Sequence, residues 1–356
     1  MVMLVRWMPG ITIVSQPMNS FLLRVIRESL PAGLLVGLLW LLSPRLAAAQ
    51  ESKGLTVIAV GDVRITGTQI RDHKQELRKI HFKGDVVFAN FEGIIGDPVP
   101  SDPWKFAVPL EAAAILRGMG VNSVSMANNH TLDLGEKAFR ETAATLLRAG
   151  FWVTGNAENG TAAKVKNHRV RVIAFSFSSP RNNVNHPEAI PVVFAKDAGE
   201  IIIVSAHMGG ENRLGSWIPY GMEYFGDEQR GDVVAFSHRC IDAGADLVLG
   251  HGPHVPRGLE LYKNKLIVYS LGNFAFDYPG VTFHPHAPGY SISVRLDENG
   301  NFRAAQIRSY DLRNGVPVPD RSGTAYRMIR DLTFHNLKQS SLAFPGNGQV
   351  QLNTGE

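Results

Sequence analysis

Eight short β-rich runs recur along the first 270 residues, and most of them stop at a side chain of a kind that binds cations. The runs are Thr56–Val60, Asp85–Ala89, Asn122–Met126, Phe151–Thr154, Val170–Phe175, Ile201–Ala206, Asp246–Leu249 and Lys265–Ser270. Helix-period segments lie between several of them, at Thr68–Ile80, Leu110–Met119, Gly135–Ala149 and Asp227–Ala243. Runs such as Ile201-Ile202-Ile203-Val204 carry no polar alternation, which is the pattern of strands covered on both faces. Alternation of this type predicts an α/β fold with helices on the sheets. Farther on, Ser291–Leu296 and Phe302–Tyr310 flank Asn299-Gly300 and read as a hairpin. A last helix is expected over Thr324–Lys338, followed by a disordered tail at Gly346–Glu356.

The ends of five runs carry the chemistry. Val60 leads to Gly61-Asp62, Ala89 to Asn90-Phe91-Glu92, and Met126 to Asn128-Asn129-His130. Ala206 leads to His207, and Leu249 to Gly250-His251-Gly252-Pro253-His254. In open α/β sheets ligands bind beyond the carboxyl ends of strands. Oxygen and imidazole donors without sulfur suit manganese, iron or zinc, and so many donors suit two neighbouring ions sharing a carboxylate. Each element also has a plain structural reading. Gly-Asp makes turns, Glu92 can cap, Asn128-Asn129 can open a helix, and a single strand-end histidine is more often hydrogen-bonded than ligating. The convergence of five such ends is what favours metal.

The charge argues against a polyanionic nucleic acid as partner. The formal net charge is +4, but residues 1–49 hold four arginines and one acid, which leaves the remainder close to neutral. Those residues read as a leader. Arg24 and Arg27 precede the eleven-residue apolar run Ala32–Leu42, and Ala47-Ala48-Ala49 offers a small-residue cleavage site. The run is short for a span, which takes about 20 residues. The expectation is an exported chain, periplasmic, secreted or attached to the envelope, with a buried N-terminal helix or an uncleaved anchor as the competing readings. Met18 is a second candidate start. The single cysteine, Cys240, excludes an internal disulfide and a thiolate cluster, and is expected to be buried.

The run from Gly244 to Asp277 (GADLVLGHGPHVPRGLELYKNKLIVYSLGNFAFD), with NFEG and ANNHTLDLG upstream, resembles the CapA-type family of poly-gamma-glutamate capsule biosynthesis proteins, a branch of the calcineurin-like metallophosphoesterase superfamily. The resemblance covers roughly Leu55 to Asp311. It implies a four-layer α-β-β-α sandwich with two divalent metal ions, and it divides the chain into a leader (1–49), the CapA-like domain (50–311) and a C-terminal extension (312–356). It further implies Asp62, Glu92, Asn129, His207, His251 and His254 as metal ligands, with Glu92 bridging, and His130 as the catalytic histidine. Asp133 and Asn273 are expected to orient ligands, and Glu211 belongs to the family's His-x-Gly-x-Glu segment. The chain departs from the pattern where Arg64 replaces a histidine that is frequent in the superfamily. Met208 replaces a tryptophan, and Gly252 a histidine. Arg64 is the candidate cation for an anionic substrate. His284-Pro285-His286 reads as a solvated loop. The implied partners are a phosphoester or an anionic polymer and other capsule-synthesis membrane proteins. A metal-dependent hydrolase and a non-catalytic envelope protein that holds an anionic capsular polymer both fit this reading.

Overall fold

The computed structural model describes residues 54–354, apart from 97–98, 103, 181, 187, 189, 191–193, 212–214, 278–287 and 340. The leader and the His284-Pro285-His286 segment lie outside the described residues. Lys53–Glu356 forms one compact unit. Among the described residues no helix is long and apolar enough to cross a membrane.

Two sheets make the centre. The larger has ten strands, and its parallel half runs Leu55–Arg64, Val86–Phe91, Ser123–Ser125, Trp152–Thr154. The other has six, with His168–Ser176, Glu200–His207, Leu247–His251 and Lys265–Val268 parallel in that order. The period of two along each strand assigns the layers. Leu55, Val57 and Ala59 of the first strand pack with Ile201, Ile203, Leu247 and Leu249 of the other sheet. Ile58 and Val60, alternating with them, face the opposite way and pack with Ile70, Ile115 and Leu146 from helices Gly67–Arg78, Glu111–Gly118 and Gly135–Arg148. On the second sheet Ile202 and Val204 turn outward to Phe236 and Cys240 of helix Val233–Asp242. The result is an α-β-β-α sandwich in which the central strands are covered on both faces, as their unbroken apolar runs require. A further helix, Thr324–His335, sends Ala325, Tyr326 and Ile329 into the core between the sheets. Cys240 is fully buried, and burial pushes its thiol well above the usual range.

Three expectations need correction. The helix expected from Asp227 starts only at Val233, because Glu228–Asp232 pairs as a strand with Met222–Phe225. Asp232 then caps the helix, its carboxylate accepting from Ala235 N at 2.9 Å. The first strand does not stop at Val60: past an irregularity in its pairing it continues through Asp62 to Arg64, alongside Asn273–Phe276. The expected disordered tail is a hairpin, Leu342–Gly346 with Gln349–Leu352. Its turn residues Asn347 and Gly348 have φ of 50° and 80°, the left-handed pair that an Asn-Gly hairpin needs. Leu342 and Val350 enter the core, and Gln349–Gln351 pair with Ala304–Gln306. Strand Phe302–Arg313 runs through position 311 and pairs with Val316–Pro319 in the large sheet.

Candidate metal centre

Parallel register brings the strand ends together. Asp62 lies opposite Asn90 and Asn273 on its two neighbours, and His207 lies opposite His251 on the second sheet. Two glycines allow the close approach. A Cβ on Gly61 would sit 1.9 Å from Gly272 O, and one on Gly252, whose φ is 110°, would sit 2.9 Å from Met208 O. His254 itself holds a φ of 59°, a strained value for a side-chain-bearing residue, and this turns its ring into the site.

The two sheets meet through polar contacts at this edge. The Asn90 amide spans Asp62 Oδ1 at 2.8 Å and His207 Nδ1 at 3.2 Å. His251 Nδ1 donates to Asp62 Oδ1 at 3.1 Å, and His254 Nδ1 lies 3.3 Å from Asp62 Oδ2. His254 Nδ1 also donates to Asn273 Oδ1 at 2.7 Å. Glu92 Oε1 lies 3.6 Å from His254 Nε2 and 3.8 Å from His207 Nε2. Asp62, Glu92 and His254 thus present donor atoms all within 4.8 Å of one another.

Buried polar atoms without a hydrogen-bond partner test the fit to cations. Among the described residues these include Glu92 Oε1 and Oε2, Asn129 Oδ1, His207 Nε2 and His251 Nε2. An unmet buried acceptor costs about 1–3 kcal/mol, more when charged, so this many in one place calls for an occupant. Oxygen and imidazole donors are the set that manganese, iron or zinc would take. His251 and His254 donate their Nδ1 protons to Asp62 and Asn273, the usual way such ligands are oriented, whereas His207 Nδ1 accepts from the Asn90 amide.

Electrostatics point the same way. Burial alone would raise the Asp62 carboxyl, but hydrogen bonds and charge from His251 and His254 outweigh it and hold it well below the carboxylate range. Glu92 is pushed well above that range, first by burial and then by the charges of Asp62 and Glu211 against the opposing pull of His254. Burial opposes a charged His254, yet Glu92, Glu211 and Asp62 raise it well above an ordinary imidazole. Burial depresses His207 well below that value.

His130 and Asp133 form a second group at the rim. His130 Nδ1 bonds Asp133 Oδ2 at 2.8 Å, and the same oxygen accepts from Phe106 N at 2.7 Å. The Phe106 ring stacks on His130 with centroids 3.4 Å apart and planes 5° apart. The Arg64 guanidinium lies 4.4 Å from the Phe106 ring centre and bonds the Asp277 carbonyl. Phe276 joins this group to the centre, 5.8 Å from Phe106 and 5.0 Å from His254.

These contacts gather the candidate residues into two groups, the centre and the rim. Glu211 joins the centre through His254 Nε2, 3.8 Å from its Oε2, and Asn129 presents a buried oxygen without a hydrogen-bond partner. Phe106, Arg230 and Arg257 contribute without having been marked by the sequence, and Asn90, named there only within the Asn90-Phe91-Glu92 strand end, bridges Asp62 and His207. Arg257 is fully buried and pairs with Glu223 at 2.8 and 2.7 Å, while Glu223 Oε2 accepts from Gly210 N at 2.9 Å. An arginine inside the glycine- and proline-rich stretch after His254 is the one signal that could have marked it.

A family model described as bacterial capsule synthesis protein PGA_cap matches residues 56–278, more than half of the chain. The chain belongs to this family. Among its relatives, the PGA biosynthesis protein CapA of Bacillus subtilis is 27% identical over 247 residues, covering 63% of this chain and 60% of that protein. The capsule biosynthesis protein CapA of Bacillus anthracis is 25% identical over 246 residues, covering 63% and 56%. The chain therefore spans less than two thirds of the length of these relatives. Among solved structures, purple acid phosphatase PPD1 from yellow lupin (Lupinus luteus) seeds overlays on 82% of this chain and 57% of its own, with a TM-score of 0.34 and 11% identity. That likeness is too low to bear on mechanism.

Proposed function

We propose that this PGA_cap-family chain is an exported hydrolase with a dinuclear metal centre, acting on a phosphoester or related anionic linkage at the cell envelope during capsule or poly-gamma-glutamate synthesis. The observation that carries the reading is the set of unpartnered buried donors at Glu92, Asn129, His207 and His251 beside the Asp62–Glu92–His254 cluster. Asp62, Glu92 and His254 would hold one ion, and Asn129, His207 and His251 the other, with Glu92 shared. The ions, when bound, supply Lewis acidity toward a phosphoryl or acyl oxygen.

The chain's own residues account for the remaining steps. His130 delivers a proton to the leaving oxygen, its ring plane fixed by Phe106 and its Nδ1 by Asp133. Arg64, on the other contact of the Phe106 ring, adds positive charge at the rim where an anionic substrate would enter. A cavity of about 150 Å³ lined by Asn128, Asn129, Leu132, Phe139 and Ser178 offers room beside the centre for part of the substrate.

The test is turnover of an aryl phosphate by metal-loaded protein. Asp62→Ala and His254→Ala should each abolish it, and unchanged turnover in either would defeat the proposal. The relatives are described as PGA or capsule biosynthesis proteins, and the competing reading is a protein that holds an anionic polymer without cleaving it. Binding of poly-gamma-glutamate by protein that hydrolyses no ester would select that reading.

A further inference from the structure

Glu211 sits in the centre without a place in the ligand set above. It follows the strand that ends at His207, and its side chain is buried. Arg230 Nη1 donates to Oε1 at 2.9 Å. Arg230 is itself held by Glu228 at 2.7 Å and by the Phe177 ring, 4.0 Å from its guanidinium. With one oxygen clamped, the other has a fixed direction: Oε2 lies 3.8 Å from His254 Nε2. Glu92 Oε1 approaches the same nitrogen to 3.6 Å. Because Nδ1 donates to Asn273, Nε2 carries the lone pair in the neutral ring. Two carboxylate oxygens therefore each approach the same imidazole nitrogen. Their spacings are too long for hydrogen bonds. They approach the separation of about 3.4 Å between neighbouring ligands of a tetrahedral ion with bonds of about 2.1 Å.

We propose that Glu211 is a protein ligand of the ion held by Asp62, Glu92 and His254, with Arg230 as the residue that positions it. The assignment rests on the metal-centre reading above. Arg64, the next polar side chain along the Asp62 strand, cannot fill this position. A guanidinium stays protonated and offers no lone pair, and its head group is turned to Asp277 and Phe106. Glu211 supplies both the missing donor and a third negative charge, so the ion with the most carboxylates around it is the one nearest His254.

The experiment is Mn²⁺ titration of the metal-stripped full chain by calorimetry, with elemental analysis of the dialysed product, for the wild type and Glu211→Gln. Glutamine keeps the volume and removes the charge. The expected result is two binding events in the wild type and, in the variant, one event unchanged and one weakened about tenfold or more. The Co²⁺-loaded forms give a second readout, since losing a carboxylate donor changes the intensity of the visible bands while a merely structural role leaves them alone. Two unchanged events with unchanged Co²⁺ spectra would overturn the Glu211 assignment and leave the centre standing. A wild-type chain that takes up no ion would overturn both, and it would do so before any substitution is made.

Discussion

Replacing Glu223 by glutamine isolates the device that holds the loop behind the centre. Arg257 has no exposed surface, and its guanidinium meets both Glu223 oxygens at 2.8 and 2.7 Å while Nε donates to Gly215 O at 2.6 Å. Opposite unit charges at this distance attract by about 6 kcal/mol at an effective dielectric near 20. Desolvation offsets much of that in the intact pair. Removing one partner leaves the other charge buried and uncompensated, which costs about 3–5 kcal/mol. The introduced glutamine keeps the shape but cannot balance Arg257, and it weakens the bond that Glu223 accepts from Gly210 N. At roughly 2 °C per kcal/mol for a domain of this size, the melting midpoint should fall by about 6–10 °C. Calorimetry of the metal-stripped full chain measures this without interference from bound ions. A midpoint within about 2 °C of the wild type would refute the claim that this pair holds Gly210 and Gly215 in place.

His130→Ala should lower turnover of an aryl phosphate by about 10²–10⁴-fold while metal content, read by elemental analysis, stays at the wild-type level. Loss of metal in this variant would move His130 from proton donor to ligand. Metal affinity should rise with pH. The metal-free Glu92 and His254 both hold their protons above the usual values, and an ion must displace them. Mn²⁺ titrations across a range of about pH 5–9 should therefore show weaker binding and greater proton release on the acid side. An affinity that does not change with pH would contradict the assignment of these two side chains as ligands.

The layers and the strand ends were legible because burial on both faces and terminal polar residues leave local marks. Unbroken apolar runs such as Ile201–Val204 fit strands sealed by helices and a second sheet, and this one is such a strand. Gly61 and Gly252 mark the places where backbone must approach backbone. What stayed hidden depends on tertiary partners. Glu228–Asp232 is polar and carries no strand periodicity, and it is a strand because Met222–Phe225 pairs with it. The tail's polar composition masked the Asn347-Gly348 turn and the two apolar residues, Leu342 and Val350, that anchor its hairpin. Asn90 and Arg230 gain their roles only when the second sheet brings His207 and Glu211 beside the first.

Elemental analysis of the purified full chain, after exposure to manganese, iron or zinc and exhaustive dialysis, tests the central claim most directly. Four strand ends carrying buried, unpartnered donors, with Asp62 on a fifth, should retain about two ions per chain, and Glu92→Gln, which removes the shared carboxylate while keeping its volume, should retain at most about one. A wild-type chain that retains none, or a Glu92→Gln chain that still retains two, would contradict the account.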